Sequence, residues 1–268
     1  MILIRRYPLV AYFLFAYLFT WVIEVPMMLG ERGLIAWQMP HAFEAVAAFG
    51  PFAAAVFVLR TTQGGGAVRA LLASLVNWRV SPGWMLFAVA SPFAVLFVAL
   101  ARTGETALLF DGELSRGLLE SGKMFELVVL GGVLRGIGEE PGWRGYALPA
   151  LRGRFGPLLA TLALFPFWLI WHLPSFLMRP EFDLGAWLGF SAGVLSAAIW
   201  CTAMYDATRS VLVIAIWHAL INICRGYAGA ASGEAFMAFA QVVLLVALLI
   251  AGFWLVRRPP SYGGAANT

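Results

Sequence analysis

The chain has 268 residues, of which 62% are hydrophobic and only 12% are charged, and its mean hydropathy is +0.84. A soluble domain carries about 25% charged residues, so this composition excludes an ordinary soluble protein and indicates several membrane spans. The net charge of +4 is the difference between 18 Lys and Arg residues, which are scattered along the chain, and 14 Asp and Glu residues. Without a long basic run they argue against a nucleic-acid partner and fit loops beside membrane spans.

Eight apolar segments follow one another along the chain. A spanning helix needs about 20 mostly apolar residues, so these segments predict an all-α fold, a polytopic bundle of about eight transmembrane helices in a single domain over residues 1–268. The ending PPSYGGAANT, residues 259–268, predicts a flexible tail. The predicted spans are 7–29, 42–60, 83–101, 122–139, 156–178, 184–205, 209–225 and 235–256.

The distribution of basic residues predicts the orientation of the bundle. An even number of spans places both termini on one side, and twelve of the 18 basic residues, Arg135 among them, then fall on that side. Basic residues favour the cytoplasmic side, so we expect both termini in the cytoplasm. The six on the other side are Arg32, Arg102, Arg116, Lys123, Arg179 and Arg225.

The fourth span ends on an unusual acidic pair in the stretch GIGEEPGWRGY, residues 136–146. Arg144 lies four residues after Glu140 and would share a helix face with it, although Pro141 predicts a kink or a restart of the helix. One interpretation is a solvated helix end. The other is that one glutamate pairs with Arg144 while Glu139 faces a polar cavity.

Two further polar groups lie in later spans. FPFWLIWHLPSF, residues 165–176, holds Trp168 and His172, and IAIWHALIN, residues 214–222, holds His218 and Asn222 on one helix face. Each group alone is compatible with packing or with hydrogen bonds between helices.

Around one water-filled cavity the same groups would suit hydrolysis. A glutamate can take a proton from water, and a histidine can orient that water or protonate the leaving amine. A second histidine and an amide can donate to an oxyanion. The same glutamate and histidine side chains could instead hold zinc, although the HExxH motif of zinc proteases is absent.

The three groups, in this order on three helices, resemble the motifs EExxxR, F/W-xxx-H and HxxxN/D of the intramembrane CAAX-type proteases and bacteriocin-processing enzymes, the CPBP or Abi family. The resemblance covers about residues 41–225 and looks closest to the bacterial branch. It implies that Glu139 is the general base, with His172 beside it, and that His218 and Asn222 stabilise the oxyanion. Glu140 and Arg144 would form a structural ion pair, and Trp168 replaces the commoner phenylalanine.

The resemblance implies an intramembrane endopeptidase in the bacterial plasma membrane, acting on a membrane-embedded or membrane-associated peptide. The family is often called metalloprotease, yet a metal-free glutamate mechanism is also argued for it. Zinc therefore stays open, with Glu139, His172 and His218 as its candidate ligands. Two alternatives are a non-catalytic bacteriocin-immunity or scaffolding protein of the same fold, and a solute or proton transporter, which the lack of an inverted repeat disfavours.

Overall fold

The computed structural model describes residues 2–110, 112–179 and 183–256. This part of the chain is helical and contains no β-strand, which confirms the predicted all-α class. The predicted tail at 259–268 lies outside the described residues. The α-helices are α1 (Ile2–Arg6), α2 (Pro8–Glu31), α3 (Phe43–Ala47), α4 (Gly50–Thr62), α5 (Gly65–Ser74), α6 (Pro82–Thr103), α7 (Glu113–Glu120), α8 (Lys123–Phe125), α9 (Leu134–Gly142), α10 (Leu148–Arg152), α11 (Pro157–Trp171), α12 (Leu173–Leu177), α13 (Leu184–Thr208), α14 (Val211–Ala231) and α15 (Gly233–Val256).

Six helical segments within these residues are long and apolar enough to cross a membrane, namely α2, α3 with α4, α6, α13, α14 and α15. Their outer faces carry large apolar side chains that are more than half exposed, such as Leu14 and Leu18 on α2 and Leu248 and Leu249 on α15. Such a surface matches lipid tails rather than water. The chain is therefore a multi-pass integral membrane protein, as predicted.

The fourth predicted span extends well beyond its predicted end at residue 139. The helix runs without interruption from Lys123 to Arg152, with wide π-helical turns at Glu126–Val133 and Trp143–Ala147. The acidic pair therefore lies in the middle of a helix. The prediction ended the span too early because a hydropathy pattern counts the charges of Glu139, Glu140 and Arg144 against burial and cannot detect their partners.

Pro141 does not restart this helix, contrary to one of the sequence expectations. The α9 helix includes Pro141 and continues directly into the π-helical turns that begin at Trp143. A proline removes one backbone donor and crowds the preceding turn. A wide turn directly after it accommodates that disruption without ending the helix.

Glycines allow α9 to lie directly against α4. A β-carbon at Gly142 would come 2.5 Å from the backbone of Pro51, and one at Gly138 would come 2.8 Å from the carbonyl oxygen of Ala48. Real β-carbons do not approach other atoms so closely. The two glycines therefore set the distance between α4 and the helix that carries the glutamate pair.

The fifth predicted span divides at His172. The α11 helix ends at Trp171, His172 forms the junction, and α12 begins at Leu173 with Pro174 in its first turn. Proline is favoured at the start of a helix and disfavoured within one. His172 thus lies at a helix end rather than inside the span predicted over 156–178.

Hydrogen bonds from α2 hold this junction in place. Tyr17 Oη donates to the carbonyl of Phe167 at 2.9 Å, and Trp21 Nε1 donates to the carbonyl of Trp171 at 3.1 Å. In return, Trp171 Nε1 donates to Thr20 Oγ1 at 2.8 Å. Because the residues that make these bonds lie about one turn apart on α2, they fix the position of α11 along α2.

Arg135 lies near the C-terminal end of α2, whereas the sequence analysis grouped it with the side that holds the N-terminus. Its Nη2 donates to Glu44 Oε2 at 2.9 Å. His41 Nδ1 lies 3.4 Å from Glu44 Oε1, and His41 Nε2 lies 3.6 Å from Oε1 of Glu31, the last residue of α2. The sequence analysis ended the fourth span at residue 139, whereas the helix continues to Arg152 and leaves Arg135 in its first half.

Candidate active site

The two adjacent glutamates lie in the protein interior. Glu139 is 1% exposed, and both Glu140 and Arg144 are 0% exposed. The solvated helix end that the sequence left open is therefore wrong. Burying an ionised group costs several kcal/mol, as an order of magnitude, unless it is paired, so the partners of these residues decide what the site can do.

Glu140 is the residue that holds two other predicted site residues. Its Oε1 accepts from Arg144 Nη1 at 3.0 Å, as the motif predicted, and also contacts His218 Nδ1 at 2.5 Å. A carboxylate only accepts hydrogen bonds, so the proton of this second bond lies on His218 Nδ1. His218 can then donate from Nε2 only when its ring carries both protons.

Glu139 is held by an aromatic side chain from another helix. Its Oε2 accepts from Trp168 Nε1 at 3.0 Å. The ring of Trp168 lies 5.7 Å from that of His172, between centroids. Within the described structure, Glu139 and His172 are thus connected through Trp168 and not by a direct hydrogen bond.

His172 is oriented by the end of its own helix. Its Nδ1 lies 2.7 Å from the carbonyl oxygen of Trp168. A carbonyl only accepts, so Nδ1 carries the proton, and the neutral ring has its lone pair on Nε2. That nitrogen can accept a proton or a hydrogen bond from water, which suits the role that the resemblance implies.

Asn222 contacts a different segment from the other predicted residues. It follows His218 by one turn on α14, as expected, and its Nδ2 donates to the carbonyl of Gly131 at 3.3 Å. This bond attaches α14 to the π-helical turns at Glu126–Val133. A primary amide has two N–H groups, so one of them is not used by Gly131.

Trp168 lies at the centre of the group. The guanidinium carbon of Arg144 is 4.0 Å from its ring centroid, and the ring of His218 is 5.9 Å away. Its side chain is 3% exposed. The sequence analysis noted only that Trp168 replaces a phenylalanine, whereas in the structure Glu139, Arg144 and both histidines all lie around this one residue.

Comparison with known proteins finds a similarity over the segment that carries the motifs. Residues 122–224, which carry all three motifs, match a family described as type II CAAX prenyl endopeptidase Rce1-like. Over 93 residues the chain is 33% identical to a CAAX prenyl protease 2 of Methanococcus maripaludis, an alignment that covers 32% of this chain. The segment that carries the three motifs is therefore similar to CAAX prenyl endopeptidases, in line with the resemblance found in the sequence. The chain spans 34% of the length of that relative.

The three motifs are enclosed by aromatic rings. Trp143, the first residue of the π-helical turns that follow α9, is fully buried. It packs edge-to-face against Tyr12 at 5.7 Å and Trp171 at 5.9 Å, between centroids. Such a wall excludes bulk water from one side of the glutamate pair. Electrostatic interactions and hydrogen bonds strengthen in such surroundings.

Some donor atoms of the candidate zinc ligands are used in hydrogen bonds. Glu139 Oε2 accepts from Trp168 Nε1, and the Nδ1 atoms of His172 and His218 contact the Trp168 carbonyl and Glu140. Glu139 Oε1 and the Nε2 atoms of both histidines are not used in these bonds. In the described ranges of the chain, no group of three or more His, Cys, Asp or Glu side chains is placed to hold a metal ion. Zinc binding by Glu139, His172 and His218 stays a prediction.

One buried acid lies outside the three motifs. Glu24 is 1% exposed, and no described residue makes a hydrogen bond to its Oε2. Its position before Pro26, near the predicted end of the first span, gave no sign of this burial. The surrounding segments come from distant parts of the chain, and no local pattern encodes them.

Proposed function

We propose that this chain is an intramembrane endopeptidase in which Glu139 activates water. The observation that carries the proposal is the Glu139 carboxylate, buried among apolar helices and held through Oε2 by Trp168 Nε1 at 3.0 Å. A buried ionisable group within a membrane bundle is costly and by default functional. Trp168 leaves Oε1 to accept a proton, and the ring of His172 lies 5.7 Å from the same indole, between centroids.

The reaction follows from these groups and water. The water oxygen attacks the peptide carbonyl carbon while one of its protons passes to Glu139. The tetrahedral intermediate then collapses, the C–N bond breaks, and the leaving amine takes the proton from Glu139. His172, with its lone pair on Nε2, orients the water. The products are a new carboxylate and a new amine.

His218 and Asn222 are proposed to bind the developing oxyanion. The contact with Glu140 supports this for His218, because the carboxylate compensates the charge of a doubly protonated ring that can donate from Nε2. The second N–H of Asn222 supplies another donor. The two residues lie one turn apart on α14 and are proposed to contact the same substrate oxygen.

The substrate is proposed to be a peptide within or at the membrane. The glutamate pair lies between helices whose outer faces fit lipid, so a substrate reaches it from the bilayer or its surface. The relative from Methanococcus maripaludis is named as a CAAX prenyl protease. We propose the same general reaction here, in a bacterial plasma membrane, with lipid as the surrounding medium.

Proteomic comparison of cells that make wild-type protein or Glu139→Gln tests this proposal. The substitution keeps the shape of the side chain and removes the base. Glu126→Gln is the matched control, because Glu126 is an exposed glutamate on the same continuous helix. We expect a membrane peptide to accumulate uncut only with Glu139→Gln. Identical peptide profiles at equal protein levels would overturn the proposal and favour the non-catalytic scaffold.

A further inference from the structure

Trp168 supplies a hydrogen-bond donor that a phenylalanine at this position would lack. Its Nε1–H is directed at the carboxylate of Glu139, and both side chains are buried. We propose that the Trp168 indole N–H is a positioning group that holds the Glu139 carboxylate in the correct orientation for attack by water. This inference rests on the proposed function, and it assigns the residue a role beyond filling space.

The second glutamate of the pair acts on the first through this indole. Glu140 Oε1 accepts from Arg144 Nη1 at 3.0 Å, and Arg144 places its guanidinium 4.0 Å from the ring centroid of Trp168. A cation on an aromatic face is attracted to its electrons and withdraws them from the N–H, which becomes a stronger donor. The adjacent glutamates are therefore connected through Arg144 and Trp168.

The burial of Glu139 makes its hydrogen bond with Trp168 important. Hydrogen bonds to ionised acceptors are stronger than neutral ones, and their strength increases further where water is excluded. The Glu139 carboxylate lies in such a water-excluding interior. Without the donor, the same carboxylate would be less stable in its ionised form and freer to rotate, so fewer molecules would be ready to take a proton from water.

Trp168→Phe removes this donor with little other change. The ring face remains for Arg144, and the backbone carbonyl that orients His172 is unaffected. Trp171→Phe is the matched control on the same helix. Trp171 is equally buried, and its Nε1 donates at 2.8 Å to the neutral Thr20 Oγ1. Both variants lose the same side-chain volume and one hydrogen bond, but only Trp168→Phe loses a donor to a carboxylate.

The bond can be observed without a substrate. In protein labelled with ¹⁵N-tryptophan in detergent micelles, the Trp168 indole N–H resonance is the one missing from Trp168→Phe. We expect Glu139→Gln to move this resonance and Glu126→Gln to leave it in place. A resonance that does not respond to Glu139→Gln would show that the bond is absent and would overturn the inference.

Kinetics on the peptide that accumulates with Glu139→Gln tests the effect on the reaction. For Trp168→Phe we expect kcat to fall about tenfold with KM unchanged. Trp171→Phe should keep the kcat and KM of the wild type. An unchanged kcat in Trp168→Phe, or an equal change in both variants, would contradict the inference. Full cleavage by Glu139→Gln would instead overturn the proposed function itself.

Discussion

Glu139 and Glu140 are neighbours in the chain but have different partners. Glu140 accepts from Arg144 and His218, whereas Glu139 accepts from Trp168 on another helix. The first arrangement is a buried, charge-compensated pair and the second leaves a carboxylate with a single donor. This difference in surroundings gives one glutamate a structural role and the other a chemical one.

The buried ion pair leads to a stability prediction. Arg144→Ala leaves Glu140 buried with less compensation, so we expect it to lower the free energy of unfolding by about 3–5 kcal/mol. Thermal unfolding in detergent measures this loss. Arg154→Ala is the control, because Arg154 is exposed beyond the end of α10. Equal midpoints for the two variants would show that the Arg144 pair contributes nothing to stability.

The pairing of Glu140 with Arg144 was predictable from sequence, because a spacing of four residues places both on one helix face. The hydrogen bond between Trp168 and Glu139 was not predictable in this way. It joins residues 29 positions apart, and its existence depends on how two helices pack. The same reason hid the burial of Glu24.

At the scale of helices, the continuous segment from Lys123 to Arg152 determines the depth of the site. The apolar first half of this segment predicted a membrane span, but the charged residues at its centre led the prediction to end the helix before residues 140–152. The π-helical turns on both sides of α9 have no recognisable local signature in the sequence. Wide turns of this kind occur frequently at functional sites, and here they flank the glutamate pair.

The close approach of α9 to α4 can be tested with glycine substitutions. Gly142→Ala would force a β-carbon against the backbone of Pro51, and overpacking of this kind costs about 1–3 kcal/mol. Gly117→Ala on α7 has open space around it and should stabilise its helix by about 0.5–1 kcal/mol. Chemical denaturation in detergent compares the two. Equal stability of the two variants would contradict the packing described for α9.

At the scale of the whole molecule, the composition was sufficient to predict a membrane bundle. The predicted number of spans depends on treating the helix from Lys123 to Arg152 and the 15-residue α11 as membrane-crossing, in addition to the six longer apolar segments. The segment Lys123–Arg152 carries too many charged residues, and α11 has too few residues, to be recognised as a span from length and hydropathy alone. Hydropathy cannot detect that the charges of Glu140 and Arg144 are paired in the interior.

The orientation of the bundle is a prediction with a direct test. With eight crossings, the two termini share one side, and most basic residues place that side in the cytoplasm. Green fluorescent protein attached to the C-terminus should therefore fluoresce in bacterial cells. Alkaline phosphatase fused after Glu120, between α7 and α8, should be active. The reverse pattern would place the termini outside.

The central claim is that Glu139 takes the proton from the attacking water. The most direct measurement is the rate of cleavage of the accumulated peptide by purified protein in lipid vesicles, for wild type and Glu139→Gln. General-base catalysis contributes about 10²–10⁴-fold, so we predict that Glu139→Gln retains at most about 1% of the wild-type kcat. A Glu139→Gln protein that cleaves the peptide at the wild-type rate would contradict the account.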